Sequence, residues 1–272
     1  MFTIIEKPMY TGSYYFVMLV NTPSRRVKSV QRAFELINRL QVLGGATPGQ
    51  LTQELDLSKS SVHNYLATLE MDGYVVNDGG TYRLGLRFLT HGAAARTMAG
   101  IERPIVQTVE TVAKQVDQST WWVTEEYGRG FFMENALPRD GTEAYGSVGK
   151  RSYLHTHALG KAILALCPDD YVEQVADYQG FPAQTRRTTT DLDELRSDLA
   201  EVRNHGFAVS EGEAVLGILS VGVAFEDVED RRHALGVFGH SRNFAGNRAE
   251  NIGQQLVGAV RDLEQRLHSG GE

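Results

Sequence analysis

Residues 47–87, TPGQLTQELDLSKSSVHNYLATLEMDGYVVNDGGTYRLGLR, constrain the fold of this chain more than any other stretch. Their local signals spell helix, tight turn, second helix and hairpin, in that order. Thr47 is placed to cap the first helix, Pro48 occupies the first helical position, where its missing N–H is harmless, and Gln50 can close a capping box. Leu51 and Leu55 share a face at i, i+4, Asp56 and Leu57 make the turn, and Ser58 caps a second helix whose buried stripe is Val62, Leu66 and Leu69. Lys59, Ser60, Ser61, His63 and Asn64 then face outward from the first two turns, where a helix set into the DNA major groove contacts bases. Tyr74–Val76 and Thr81–Leu84 flank Asp78-Gly79-Gly80, a turn whose glycines accept positive φ, so a strand pair forms a wing.

Two helices and a turn also occur in domains that never touch DNA, and the charge distribution separates the readings. Residues 24–96 carry a net charge of +3 and residues 97–272 a net charge of −10. Positive charge thus gathers on the segment that presents the helix, and the acidic remainder repels a polyanion. Arg25, Arg26 and Lys28 read as an arm, Lys59 as a phosphate contact, Arg83 and Arg87 as backbone contacts near the wing, and His63 or Asn64 as base readers.

The length of 272 residues, with 42% hydrophobic and 22% charged residues, supports two cores. The single cysteine, Cys167, excludes an internal disulfide framework and a cysteine-rich zinc module, and points to a cytoplasmic protein. The apolar run Tyr14–Val20 is too short for a bilayer, which needs about 20 residues. Residues 1–24 read as a poorly ordered extension, with Met18 an alternative start to Met1. Residues 25–90 form the winged helix-turn-helix domain, its first helix burying Val30, Phe34, Ile37 and Leu40. Residues 91–103 read as a linker helix. Residues 104–272 form an α+β domain with a mainly antiparallel sheet, large enough for a small-molecule pocket. Its helices are expected near 104–117, 158–167, 191–205 and 245–268, and its strands near 119–124, 130–135, 206–210, 218–225 and 234–239.

With these elements in place the chain resembles a known family, the isocitrate-lyase-regulator (IclR) transcription regulators. The likeness lies in Val27–Ala33, Leu57–His63 and Tyr82–Gly85 of the first domain. In the second it lies in Leu154–Ala162, Thr188–Thr190, Leu195-Arg196, Val202-Arg203 and Gly206–Val209. The resemblance implies a GAF-like effector-binding domain, homodimers or dimers of dimers, a palindromic double-stranded operator and control by a small organic acid, with no cofactor. It further implies an effector site at Ala158 and Leu159, whose backbone N–H groups at a helix start would receive an anion, and at Ser210, Ile218, Ser220, Gly236 and Phe238. Serine stands at 210 where the family pattern has an acid and at 220 where it has cysteine, and Gly236 and Phe238 replace two strand serines. A pocket changed in this way favours a larger, more apolar or aromatic acid over glyoxylate or pyruvate.

Other conspicuous residues have plainer readings. His155 and His157, with Glu134 or Glu143, make half of a metal site, but no further cluster has ligand spacing, so no metal is expected. Trp121 and Trp122 point to opposite faces of a strand, one into the core and the other into the core, the pocket or a dimer surface. Glu125-Glu126 and Glu226–Asp230 read as solvent-facing, the latter as a hairpin turn. Cys167 reads as a buried, inert thiol. No nucleophile elbow, P-loop or dinucleotide fingerprint is present, so no catalytic residues are expected. A constitutive, ligand-independent DNA-binding repressor stays open beside the ligand-responsive one. An enzyme with a vestigial helix-turn-helix is disfavoured.

Overall fold

The computed structural model describes residues 27–138 and 145–268. Arg25, Arg26, Glu143 and the whole extension at 1–24 lie outside the described residues. The chain divides into two compact units, Thr22–Gly100 and Ile101–Glu272.

The N-terminal unit holds α1 (Lys28–Leu43), α2 (Pro48–Glu54), α3 (Lys59–Met71), β1 (Val75–Asp78), β2 (Thr81–Leu84) and α4 (Arg87–Met98). The expected caps form. Thr47 and Gln50 make a reciprocal capping box at the start of α2, and the Ser58 hydroxyl accepts the Ser61 N–H at the start of α3. Strands β1 and β2 pair antiparallel, joined at Gly79 and Gly80, both at positive φ (60° and 92°). Leu36, Leu40, Leu51, Val62, Leu66 and Val75 make the core, with Leu69 at its margin.

The buried face of α1 differs from expectation, because Val30 and Phe34 are exposed and Leu36 and Leu40 are buried. Two apolar stripes wind round this helix, and the one holding Leu36 and Leu40 meets α2 and β2. The helix expected over 91–103 also has other bounds. It starts at Arg87, ends at Met98, and is followed by Gly100 at φ 70° before the next helix begins.

The C-terminal unit comprises α5 (Arg103–Val116), β3 (Ser119–Glu126), β4 (Arg129–Ala136), β5 (Arg151–Tyr153), a 3-10 turn (Leu154–Thr156), α6 (Ala158–Leu166) and α7 (Asp169–Gln179). Then come α8 (Leu192–His205), β6 (Ala208–Glu211), β7 (Ile218–Glu226), β8 (Arg232–His240), a second 3-10 turn (Ser241–Phe244) and α9 (Arg248–His268). The sheet runs β5-β4-β3-β8-β7-β6 with every neighbour antiparallel. Helix α7 was not anticipated. Its apolar residues, Tyr171, Val172 and Val175, are few, and its legible signals are Pro168 before it and two aspartates in its first turn.

Each sheet face has its own core, because strand alternation sends successive side chains to opposite sides. Trp121, Val123, Phe132 and Phe238 pack with α6, α7 and α8, whereas Trp122, Val221, Leu235 and Val237 pack with α5 and α9. Both tryptophans are therefore core, each at 0% exposure. Two acids read as solvent-facing are also inside. Glu125 accepts bonds from the Gly128 N–H and the Tyr171 hydroxyl, each at 2.8 Å, and burial pushes its carboxyl above the usual range. Asp227 lies in the expected β7–β8 turn but is enclosed by it. Burial works to raise its pKa, yet bonds from His233, Arg231 and the Glu229 N–H outweigh that and hold it well below normal. Among the described residues no helix is long and apolar enough to cross a membrane.

Candidate functional site

The exposed face of α3 is built by its cap and its buried stripe. With Val62 and Leu66 turned inward, Lys59 with His63 and Ser60 with Asn64 form two i, i+4 rows on the outer surface. Ser61 departs from expectation. It is half-buried, and its hydroxyl sits 2.9 Å from that of Ser58, within the cap. Ser60 also reaches Ser58, at 3.0 Å, but remains exposed.

The basic residues divide by partner. Arg32 pairs with Glu35 and Arg39 with Glu54. Lys28, Lys59 and Arg83 are exposed and form no ion pair among the described residues. Arg87 turns back on its own unit, donating to the Asp72 carbonyl and lying 4.9 Å over the Tyr74 ring. It secures the junction between α3 and the wing.

In the C-terminal unit the start of α6 is organised differently from a vacant anion cradle. The Ala158 N–H donates to the Ser220 hydroxyl at 3.0 Å, and Ser220 in turn reaches the Ser210 carbonyl at 3.4 Å. The Gly160 N–H is capped by His157 Nδ1 at 3.1 Å. A methyl group on Gly222 would lie 2.8 Å from Leu159 N, and one on Gly236 would lie 2.5 Å from the Leu159 side chain. The two strand glycines therefore press backbone against the helix start, and Leu159 has no free approach for an anion. Ser210 directs its hydroxyl to Glu213 at 2.9 Å. Of the positions implied by resemblance, Ala158, Ser210 and Ser220 form one hydrogen-bonded chain. Ile218 and Phe238 enter the apolar cluster on the same sheet face, and Gly236 contributes only close backbone.

Next to this chain lies a group of aromatic rings. Tyr145 stacks on Phe238 with centroids 4.5 Å apart and planes 20° from parallel; Phe132 lies 5.6 Å from Tyr145, and Trp121 meets Phe132 edge-on at 5.1 Å. Gly146 lets the turn lie flat here, since its Cβ would already sit 3.4 Å from Phe132 and Trp121. Lys150 Nζ stands 3.3 Å from the centre of the Tyr145 ring and 5.7 Å from that of Phe132. Burial lowers its pKa to about 8 and raises that of Tyr145 to about 12. Neither Tyr145 nor Lys150 was anticipated, since both belong to a loop without periodic signal.

His155 and His157 serve separate partners. His155 Nε2 donates to the Pro182 carbonyl at 3.2 Å. His157 Nδ1 accepts the Gly160 N–H, so its proton sits on Nε2 and goes to Ser152 Oγ at 2.8 Å, whose own hydroxyl continues to the Gly130 carbonyl. Burial depresses His157 to about 3. An unfolded histidine takes its proton near pH 6.5, so below that value the unfolded state binds the extra proton and stability falls as pH falls. Between pH 7 and pH 5 this residue is expected to remove about 2 kcal/mol. Urea midpoints at the two pH values should differ less in His157→Asn, which keeps a capping acceptor without the titrating ring. Equal pH dependence in both proteins would refute the assignment. Cys167 is buried, and burial pushes its thiol to about 12, as expected for an inert group.

A separate cleft of about 610 Å³ opens beyond Ser210, between α8 and β6. Asp198, Glu201, Glu211, Glu213 and Glu250 outnumber Lys161, Arg187 and His205 on its walls, so it repels organic acids.

Comparison with known proteins follows this geometry. Residues 29–79 match the family profile described as the IclR helix-turn-helix domain, and residues 94–265 match the one described as the bacterial transcriptional regulator IclR C-terminal. The chain is 34% identical to a probable HTH-type transcriptional regulator, ArcR, of Halobacterium salinarum, over 74% of this chain and 78% of that protein. The crystal structure of Thermotoga maritima IclR superposes with a TM-score of 0.72 at 20% identity, covering 89% of this chain and 99% of the other. An IclR homologue from Microbacterium hydrocarbonoxydans, crystallised as a complex with 4-hydroxybenzoate, superposes with a TM-score of 0.68 at 19% identity, covering 87% and 98%.

Proposed function

The chain belongs to the IclR family of DNA-binding transcription regulators, and from that premise we propose that its affinity for operator DNA is set by a small organic acid held in the C-terminal unit. The observation that carries the reading is the pairing of an outward helix face bearing Lys59, Ser60, His63 and Asn64 with a ring-lined, cationic interior around Phe238 and Lys150. The relatives are regulators rather than enzymes.

In this reading the protein works in the cytoplasm as a homodimer or dimer of dimers on a palindromic operator. Two copies of α3 enter major-groove half-sites about one helical turn apart, or a multiple. Asn64 and His63 read bases, Lys59 and Ser60 position the helix on phosphates, and Lys28 and Arg83 add backbone contacts. The acid acts through its differential affinity for two arrangements of the DNA-binding units, and can shift operator affinity by no more than that difference. That a relative's structural neighbour was crystallised with 4-hydroxybenzoate supports an aromatic acid for this chain.

The reading is tested by selecting bound duplexes from a random pool at two salt concentrations. An inverted repeat should be enriched, and Asn64→Ala should bind it about 10- to 100-fold more weakly with relaxed specificity at one position of each half-site, as expected for losing a bidentate base contact. No enrichment at either salt concentration would overturn the assignment.

A further inference from the structure

The ring group on the inner sheet face has an unusual economy: one of its members, Tyr145, is a foreign body in a slot built by the others. Phe238 is 1% exposed and Phe132 and Trp121 are fully buried, whereas Tyr145 is only partly buried and comes from a loop. Its near-parallel stacking on Phe238 marks a flat space one six-membered ring thick. Lys150 leans on that ring, and among the described residues no carboxylate pairs with it. His157, whose two ring nitrogens are both engaged, adds no charge to the wall.

We propose that this slot takes a monocyclic aromatic carboxylate, which displaces the Tyr145 ring, stacks on Phe238 in its place and pairs its carboxylate with Lys150. The inference rests on the ligand-responsive reading above and specifies its ligand and its anchor. One cation in an otherwise apolar enclosure matches a single negative charge, and a phosphate dianion would leave charge buried without a partner. A flat wall of rings favours a planar ligand over a puckered or branched one of equal volume. The space vacated by a tyrosine ring accommodates one ring and no fused second. Tyr145 is then a built-in competitor: it holds the slot in the absence of ligand, and the apparent affinity is reduced by the fraction of molecules in which it does so.

Calorimetric titration with benzoate, and with benzamide as its neutral isostere, tests the assignment on the full-length protein. Tyr145→Ala should bind benzoate about tenfold more tightly than wild type, because the competitor is gone. Lys150→Met should bind benzoate about tenfold more weakly while binding benzamide unchanged, which also reports that the variant is folded. Should Lys150→Met not fold, the Tyr145→Ala protein decides alone, since it must prefer benzoate over benzamide by about tenfold. Benzoate binding equal in wild type and Lys150→Met, or no tighter in Tyr145→Ala, overturns the proposal. Failure of the slot is distinguishable from failure of the wider reading: if benzoate binds neither protein while pyruvate alters operator affinity, the regulator stands and the aromatic site falls.

Discussion

Replacing Gly160 by alanine is expected to destabilise the C-terminal unit by at least about 3 kcal/mol, the upper range for forcing one carbon into a close-packed interior. The added Cβ would lie 2.1 Å from the Leu154 carbonyl oxygen and 2.5 and 2.6 Å from the Leu154 Cα and carbonyl carbon. All three are backbone atoms of the 3-10 turn, so no change of rotamer relieves the overlap. The turn would have to leave α6, breaking the His157 cap and the packing of Leu154 and Leu159. Gly258 provides the control. It is an exposed glycine in α9 with nothing within 4 Å of its Cβ position, and Gly258→Ala should stabilise by about 0.5–1 kcal/mol through helix propensity. Urea unfolding of the two variants checks both signs. Two small shifts of equal size would sink the steric account.

Lys161→Met is expected to cost about 3–5 kcal/mol, the usual penalty for leaving a buried charge without its partner. Lys161 Nζ lies 2.7 Å from Asp198 and 2.8 Å from Glu213, and its side chain is 4% exposed against 10% for Glu213 and 36% for Asp198. Asp198 can be rehydrated, whereas Glu213 cannot, so the cost falls on Glu213. That carboxylate also accepts the Ser210 hydroxyl and the Thr189 N–H. Neutralising it should therefore restore most of the loss: Lys161→Met with Glu213→Gln is expected to be markedly more stable than Lys161→Met alone. If the double variant instead shows the sum of the two single losses, the lysine contributes by packing and the charge argument fails. Because Ser210 links Glu213 to Ser220 and Ala158, the same substitution should loosen the start of α6.

The N-terminal unit was legible because its signals are local. A capping box spans three residues, a buried stripe repeats over a few turns, and two glycines at a hairpin have a single economical explanation. The exception, α1, had two overlapping apolar stripes, and only the arrival of α2 and β2 chooses between them. Glu125-Glu126 read as a solvent pair, yet strand alternation puts one of any two neighbours inside, and the partner that tolerates Glu125 there, Tyr171, sits on a helix whose few apolar residues gave little warning of it. The interior site was legible only in part. Phe238 and Ser220 lie opposite each other across β7 and β8, a pairing of distant segments that no short window contains. Tyr145 and Lys150 follow no period at all, and their importance lies in which rings they meet rather than in their own neighbours.

The two adjacent tryptophans on β3 carry a practical consequence. They are the chain's full complement of indoles, and each belongs to a different layer of the C-terminal unit. Trp121 donates its N–H to Ser119 at 2.9 Å and faces the ring-lined interior; the Trp122 N–H meets no acceptor among the described residues and faces α5 and α9. Intrinsic emission from this protein is thus a two-channel signal with no contribution from the DNA-binding unit. A Trp122→Phe protein isolates the channel beside the aromatic slot, and a Trp121→Phe protein isolates the layer behind it, so one strand supplies an optical record of which side of the sheet responds first.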